Sequence, residues 1–249
     1  MCELVAIKWQ YETLSAASNW PYLLDSRVVC QRIGFKNMQP IFFDLDGTLT
    51  DPKEGITGCI QYALEKLGET APCKDELTWC IGPSLIHSFD ILVGAERSIQ
   101  AVEFYRERFS TVGLFENIPY ADIAHVLGTL KRAGHPLFVA SSKPLVFVDR
   151  ILKHFDLFDY FQATFGSNLD GTLADKSELL AHALNTTGFV GSDCLMIGDR
   201  MHDALGAASN GMDFIGALYG YGNAEEYQQH GFSRWAETPR DLLDLIGSE

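Results

Sequence analysis

The chain is short of basic residues and of long apolar runs. It has 19 basic against 33 acidic residues, and the formal charge of −14 argues against a broad surface for nucleic acid or for anionic membranes. Although 47% of the residues are apolar, no run approaches the length of a membrane span. We therefore expect neither a nucleic-acid polymer nor a membrane as partner, although a metal ion and one or two lysines could still bind a phosphate group locally.

The cysteines form no recognisable framework. There are six of them, with no CxxC pair and no dense cluster. In a chain of 249 residues this distribution suits a reducing compartment, with the cysteines as small buried apolar side chains. We therefore expect a cytoplasmic protein.

The most informative stretch is residues 41–50, Ile-Phe-Phe-Asp-Leu-Asp-Gly-Thr-Leu-Thr. The run from Ile41 to Phe43 is typical of a buried parallel strand, and Asp44 and Asp46 follow it directly. In an extended chain these two acids share a face, at the strand end where open α/β sheets bind ligands. Two like charges this close require a cation or a proton between them. A surface Asp-Gly turn is the simpler alternative, but it does not explain the apolar run.

The rest of the chain alternates in a way that predicts a parallel α/β sheet. From about residue 55 to residue 115, helical patterns follow one another without a strand; Asp75 and Ser84 are expected to cap two of these helices, and Ile99, Val102, Tyr105 and Phe109 mark another. Beyond Tyr120, helices alternate with apolar runs at 137–140, 163–165, 194–197 and 214–217, which we predict as strands. Such βα units imply a parallel sheet covered on both faces, with the helical block as a separate small domain.

Hydroxyl and lysine side chains follow the second predicted strand. Ser141 comes at its end, and Ser142, Lys143 and Pro144 come next. A hydroxyl at a strand end can donate to a phosphate oxygen, and a helix that begins near Pro144 would add backbone N–H groups and a favourable dipole. The alternative is that Ser141 or Ser142 simply caps that helix.

Lys176 is predicted at the head of a later helix. A lysine in the first helical turn has the wrong charge for the helix dipole, which mildly favours a functional role. The alternative is a solvated surface lysine, and Lys143 is a second candidate for the same role.

A second pair of acids follows the strand predicted at residues 194–197. Gly198 allows a close turn, Asp199 emerges at the carboxyl end of the strand, and Asp203 lies about one helical turn further on. These acids could instead satisfy the dipole of the helix that follows. Together with Asp44 and Asp46 they would place oxygen ligands, of the kind that suits Mg²⁺, at one sheet edge. His202 lies between them and is read as peripheral.

These motifs resemble those of the haloacid dehalogenase-like hydrolases. Asp44 to Leu49 is similar to the first family motif, DxDGT, and the elements around Ser141, Lys176 and Asp199 lie where the family has its later motifs. The resemblance covers residues 38–249 and implies a Rossmann-like core, residues 38–54 and 117–249, with an all-helical cap domain, residues 55–116, inserted after the first strand. Since that strand usually opens such chains, residues 1–37 are expected to be a dispensable extension.

The resemblance also implies a set of roles. Asp44 would attack phosphorus and Asp46 would act as general acid and base. Mg²⁺ would be held by Asp44, the backbone carbonyl of Asp46, Asp199 and Asp203. Ser141 and Lys176, with Ser142 and Lys143 as further candidates, would bind the phosphate group of a small phosphorylated metabolite.

The expected activity is phosphate monoester hydrolysis. The residues around Ser141 and Lys176 most resemble the branch of 5′-nucleotidases and phosphoglycolate phosphatases, which makes a 5′-nucleotide or phosphoglycolate the expected substrate. The alternatives are a phosphomutase that uses the same acid pair and, less favoured because all the acids are present, a non-catalytic binding protein of the same family.

Overall fold

The structure is a computed structural model that describes residues 38–247. Its strands are β1 (Ile41–Phe43), β2 (Thr50–Asp51), β3 (Ile118–Pro119), β4 (Leu137–Pro144), β5 (Ala163–Ser167), β6 (Leu195–Gly198), β7 (Asp213–Ala217) and β8 (Trp235–Ala236). Six of them form a parallel sheet in the order β5-β4-β1-β6-β7-β8. The predicted parallel α/β fold is confirmed.

The central strand is buried on both faces of the sheet. Ile41 and Phe43 pack into one apolar cluster and Phe42, which points the opposite way, packs into another. The ring of Phe42 stacks on Phe138 of β4 with centroids 4.8 Å apart. This double burial explains why the strand is a continuous apolar run rather than an alternating one.

Helices alternate with the sheet strands after residue 120. They are α4 (Ile123–Ala133), α5 (Leu145–His154), α6 (Lys176–Thr187), α7 (Met201–Ser209), α8 (Ala224–Gln229) and α9 (Asp241–Ile246). Asp175 caps α6, because its side chain accepts hydrogen bonds from the backbone N–H groups of Ser177 and Glu178. Lys176 is therefore the first residue of the helix, at its head as predicted.

Between β1 and β4 the chain is mainly helical, as predicted. This inserted segment (residues 53–115) contains α1 (Lys53–Lys66), α2 (Leu85–Val93), α3 (Ala95–Phe109) and 3₁₀ turns at Lys74–Cys80 and Gly113–Phe115. Both α1 and α2 pack against α3. The domain boundaries at residues 55 and 116 stay a prediction, and the extension expected at 1–37 lies outside the described residues.

One local expectation in the inserted segment is wrong, and two are confirmed. Cys73, not Asp75, precedes the 3₁₀ turn, while the carboxylate of Asp75 pairs with Lys53 at 2.5 Å. Ser84 does cap α2, through the N–H of His87. Ile99, Val102, Tyr105 and Phe109 all belong to α3, as predicted; Ile99 is exposed and the other three are buried.

The two crossings into and out of the inserted segment are paired with each other. Strand β2 runs antiparallel to β3, with Thr50 opposite Pro119 and Asp51 opposite Ile118. Such short pairing, together with β8, α8 and α9 near the end of the chain, had no clear sequence signal. Among residues 38–247, no helix has the length and apolar character needed to cross a membrane.

Candidate active site

The predicted site residues meet at one edge of the sheet. Strand β1 pairs with β4 on one side and with β6 on the other, so the carboxyl ends of the three strands are neighbours. Asp44 follows β1, Ser141 lies near the end of β4, and Asp199 follows β6. The chain continues from β1 towards β4 and later returns to β6 on the opposite side, which creates the crevice where open α/β sheets bind ligands.

A tight loop presents Asp44 and Asp46. The N–H of Asp44 donates to the carbonyl of Ile197 at 2.9 Å, which ties the loop to β6. The carbonyl of Leu45 accepts three backbone N–H groups, among them that of Leu49 at 2.9 Å. The two carboxylates are only 4% and 8% exposed, so the alternative of a surface turn is wrong.

Gly47 is required at the bend of this loop. Its φ is +81°, a conformation that residues with a side chain rarely adopt. A Cβ atom there would also lie 2.0 Å from Oδ2 of Asp199. The glycine therefore lets the first motif, Asp44 to Leu49, approach the segment 194–203, which we call the fourth motif.

Lys176 is buried between acids. Its Nζ lies 3.1 Å from Oδ1 of Asp44 and 2.8 Å from Oδ1 of Asp203, and it donates to the carbonyl of Ala140 at 2.8 Å. Burial lowers the pKa of Lys176, but the two carboxylates outweigh burial and raise the pKa above its ordinary value. The alternative of a solvated lysine is wrong.

Lys143 pairs with the other acid of the first motif. Its Nζ lies 2.5 Å from Oδ2 of Asp46 and 5.0 Å from the ring centroid of Phe109 in α3. Ser141 is buried in β4, and Ser142 accepts a hydrogen bond at its carbonyl from Ser167. Neither serine caps α5, because that helix begins at Leu145 with Pro144 as its N-cap residue.

The acids of the fourth motif are completely buried. Oδ2 of Asp199 accepts the N–H of Tyr221 at 3.0 Å, and burial raises the pKa of Asp199 well above its ordinary value. Oδ2 of Asp203 accepts the N–H of Arg200 at 3.0 Å, as expected for an acid that caps α7. Burial also acts to raise the pKa of Asp203, but Lys176 and His202 outweigh it and the pKa is lowered. Asp203 thus serves both the helix terminus and the site.

The carboxylates fit a cation. Oδ1 of Asp46 is buried and has no hydrogen-bond partner. Oδ1 of Asp44 and Oδ1 of Asp203 are also buried, and both face the same ammonium group of Lys176. Burial raises the pKa of Asp44, Lys176 opposes the rise, and the Asp203 and Asp46 carboxylates reinforce it. A hard divalent cation would satisfy these oxygens and relieve their repulsion.

His202 is nearer to this group than the sequence pattern suggested. Its Nε2 lies 3.7 Å from Oδ1 of Asp203, and ligand atoms of Asp44, His202 and Asp203 all lie within 4.8 Å of one another. We call Asp44, Asp46, Lys176, Asp199 and Asp203 the site floor, with His202 at its edge.

A cavity of about 460 Å³ reaches Asp44 and Asp46 of the floor. Asp44, Asp46, Ser141, Ser142 and Lys143 line its inner end. Its outer part, the cavity wall, comes from the inserted segment and from the loop after β5, and includes Ile86, Ile99, Val102, Glu103, Arg106 and Leu169. Ile86, Ile99 and Leu169 are 43%, 67% and 49% exposed, so apolar surface faces the cavity without a protein partner covering it.

Sequence reasoning missed the loop after β7. Tyr221 holds Asp199, and Gly220 packs so closely that a Cβ atom there would lie 1.9 Å from the carbonyl oxygen of Gly47. The run Gly220-Tyr221-Gly222, which begins three residues after the predicted strand at 214–217, was the available signal, since clustered glycines mark a loop and permit close approach of the backbone. Thr48, whose hydroxyl lies 3.4 Å from Oδ1 of Asp199, was also missed.

Comparisons with known proteins agree with the geometry. The family model for haloacid dehalogenase-like hydrolase matches residues 41–217. A 5′-nucleotidase from Pseudomonas aeruginosa is 48% identical over 192 residues, which cover 76% of this chain and 87% of that protein. The tyrosine-protein kinase PtkA from Mycobacterium tuberculosis is 36% identical over 187 residues, which cover 75% of this chain and 64% of the kinase.

A solved structure is also similar to this chain in fold and in sequence. The crystal structure of a predicted phosphatase from Clostridium acetobutylicum has a TM-score of 0.81 and 38% identity, and the match covers 85% of this chain and 100% of that one. The family model spans more than half of the chain and includes every predicted site residue. The chain therefore belongs to the haloacid dehalogenase-like hydrolase family.

Proposed function

We propose that the chain, a phosphatase of the haloacid dehalogenase-like family, is a Mg²⁺-dependent phosphate monoester hydrolase that works through an aspartyl-phosphate at Asp44. The observation that carries this proposal is the buried arrangement of Asp44, Lys176 and Asp203, with Nζ of the lysine 3.1 Å and 2.8 Å from the two carboxylates. An ion pair without a function is usually found at the surface, because burying three charges is costly unless they neutralise each other or bind a ligand.

In the first step an Oδ atom of Asp44 attacks phosphorus and the ester oxygen leaves with the bonding electron pair. Asp46 supplies a proton to that oxygen, which becomes the alcohol product. A water molecule then attacks the phosphorus of the acyl phosphate, gives a proton to Asp46 and restores the Asp44 carboxylate. Asp46 stands two residues from the nucleophile on the same short loop and, like Asp44, lines the cavity.

The residues that would hold Mg²⁺ are Asp44, Asp199, Asp203 and the backbone carbonyl of Asp46. When bound, the ion neutralises charge that develops on the phosphoryl oxygens. Two features of the floor support this assignment. The buried Oδ1 atoms of Asp44, Asp46 and Asp203 have only one lysine, Lys176, near two of them, and the pKa values of Asp199 and Asp44 are raised. Both features indicate an excess of buried negative charge in the floor.

Lys176, Lys143, Ser141 and Ser142 are the proposed phosphate ligands. Lys176 already approaches Asp44, so it can also neutralise a phosphoryl group attached to that residue. Lys143 is held at Asp46 in the present structure and lines the inner end of the cavity. A phosphate oxygen that enters there can compete with Asp46 for the ammonium group.

We propose 5′-nucleoside monophosphates as the substrate class. The support is the Pseudomonas relative and the size of the cavity, which falls within the range of roughly 300–1,000 Å³ that is usual for ligands of drug size. Phosphoglycolate would leave most of the apolar wall without contacts.

The test is phosphate release from a panel that contains nucleoside monophosphates and phosphoglycolate, with Mg²⁺, with EDTA and with Asp44→Asn. Asp213→Asn, an exposed position, is the matched control. We expect release that needs both Mg²⁺ and Asp44, is unchanged in the control, and is fastest with nucleotides. Release that survives EDTA or Asp44→Asn would contradict the mechanism, and a preference for phosphoglycolate would contradict the substrate class.

A further inference from the structure

Arg200 joins the fourth motif to the inserted segment. It lies between the two acids Asp199 and Asp203, and its guanidinium extends away from them to backbone carbonyls of the segment 78–84. Its Nε donates to Ile81 at 2.8 Å, and its Nη2 donates to the same carbonyl and to that of Thr78 at 3.3 Å. Arginine suits such a role, because its planar fork can satisfy several carbonyls at once.

Arg200 also contacts the site floor, through both its main chain and its side chain. Its N–H donates to Oδ2 of Asp203 at 3.0 Å. Its Nη1 also donates to the carbonyl of Tyr221 at 3.3 Å, and the N–H of Tyr221 donates to Oδ2 of Asp199 at 3.0 Å. One residue therefore contacts the first acid through Tyr221, the second acid directly, and the inserted segment through its side chain.

Tyr221 extends the same connection to the entry of the inserted segment. Its hydroxyl donates to Oδ1 of Asp51 at 2.5 Å, and that oxygen also accepts the N–H of Lys53 at the start of α1. The guanidinium of Arg200 lies 5.7 Å from the ring centroid of Tyr221. The acids are thus linked to the inserted segment at two separate places.

Gly82 makes the contact with Arg200 possible. Its φ is +105°, and a Cβ atom there would lie 2.9 Å from Cγ and 3.0 Å from Nε of Arg200. Gly82 also lines the cavity. Any movement of the segment 78–84 must therefore change the surroundings of Arg200.

We propose that Arg200 is a positioning residue that couples the placement of Asp199 and Asp203 to the placement of the segment 78–84 over the cavity. This inference rests on the metal site of the proposed function. Coupling between two sites is reciprocal. Mg²⁺ binding therefore favours the arrangement in which the segment 78–84 contacts Arg200, and loss of that contact weakens Mg²⁺ binding. Cation binding and coverage of the substrate cavity then become one event.

The test measures Mg²⁺ affinity by calorimetry and hydrogen exchange in residues 74–84 of the full chain. Arg200→Met removes the guanidinium, with Arg240→Met, which removes an exposed ion pair with Asp122, as its control. Gly82→Ala perturbs the contact from the other side. Gly94→Ala is the matched control, since Gly94 also has a positive φ, +81°, but a Cβ atom there would meet nothing within 4 Å.

We expect Arg200→Met and Gly82→Ala each to weaken Mg²⁺ binding about tenfold, as is common when a residue that supports metal ligands is changed. Both should also speed exchange in residues 74–84 and remove the slowing that Mg²⁺ causes there in the unmodified protein. The two controls should bind Mg²⁺ within about twofold of that protein, in line with the small effect of most surface substitutions.

Two results would overturn the inference alone. One is normal Mg²⁺ affinity in Arg200→Met. The other is weak binding in Arg200→Met with normal binding in Gly82→Ala, which would confine Arg200 to a local effect on the acids. If the unmodified protein binds no Mg²⁺, the proposed metal site fails together with this inference.

Discussion

The site floor and the cavity wall differ in polarity and in exposure to solvent. The floor consists of four acids and a lysine that are at most 8% exposed and are held by strand ends and backbone hydrogen bonds. The wall is mainly apolar, comes largely from the inserted segment, and leaves Ile86, Ile99 and Leu169 substantially exposed. The floor is fixed by the central sheet, and the exposed apolar side chains of the wall can be replaced without removing a contact of the floor.

This difference separates chemistry from selection. The buried charges of the floor can act only on a group that lies next to Asp44. In every phosphate monoester that group is the phosphoryl group. The wall meets the part of a substrate that varies. We therefore expect changes in the floor to affect all substrates, and changes in the wall to reorder them.

The largest expected effect is that of Asp44→Asn. Removal of a nucleophile typically costs several orders of magnitude, so turnover should fall by at least about 10³-fold for every ester. Steady-state rates across the panel check this. A loss confined to some substrates would erase the distinction between floor and wall.

Lys176→Met should damage stability as well as turnover. It leaves Asp44 and Asp203 without their buried partner, and breaking such a pair costs about 3–5 kcal/mol. Urea unfolding measures the loss, and Lys66→Met, at an exposed position, is the control and should change the free energy of unfolding by less than about 0.5 kcal/mol. An equally small effect at Lys176 would mean that the ion pairs of the floor contribute little.

Ile99→Ala tests the wall. The kcat/KM for nucleoside monophosphates should fall about tenfold, since an apolar contact of this size contributes about that factor. The value for a small ester such as phosphoglycolate should stay within twofold, and so should both values in Ile91→Ala, an exposed isoleucine of α2 that serves as control. Equal losses for large and small esters would contradict a selective role.

The smallest expected effect is that of Asp199→Asn on the melting temperature of the metal-free protein. Because the pKa of Asp199 is raised in the folded protein, stability is lost as pH rises from the ordinary carboxyl range towards that raised value. In EDTA at neutral pH, Asp199→Asn should therefore melt above the unmodified protein, by about 2–4 °C for each kcal/mol relieved. The gap should narrow towards pH 4, and Mg²⁺ should stabilise the unmodified protein alone. If Asp199→Asn melted below the unmodified protein in EDTA, ionised Asp199 would not be destabilising and the prediction would be wrong.

The floor was more predictable than its surroundings for a physical reason. Asp44 and Asp199 each follow an apolar run directly, so strand geometry alone brings them to one edge. The contacts of Arg200 and Tyr221 depend on loops that tertiary packing brings together, and short-range patterns do not encode them. The error at Asp75 has a local cause, since the turn begins only two residues earlier than predicted and the ends of short helical elements are uncertain by that much.

Short elements also escaped prediction. Strand β8 and the pair β2–β3 have two residues each, too few for an alternation to be visible. The exposed Ile99 fitted a helical stripe by spacing, but spacing does not reveal whether a neighbour covers the side chain. The apolar wall could be recognised only once the packing was known.

The most direct test of the central claim is to trap the covalent intermediate. The enzyme is mixed with a nucleoside monophosphate and Mg²⁺, quenched during turnover and reduced with borohydride, which converts an aspartyl-phosphate into homoserine. We expect peptide mass spectrometry to find homoserine in place of Asp44, and only when both substrate and Mg²⁺ are present. Steady turnover with no modification, or with modification at Asp46 or Asp199 instead, would contradict the account.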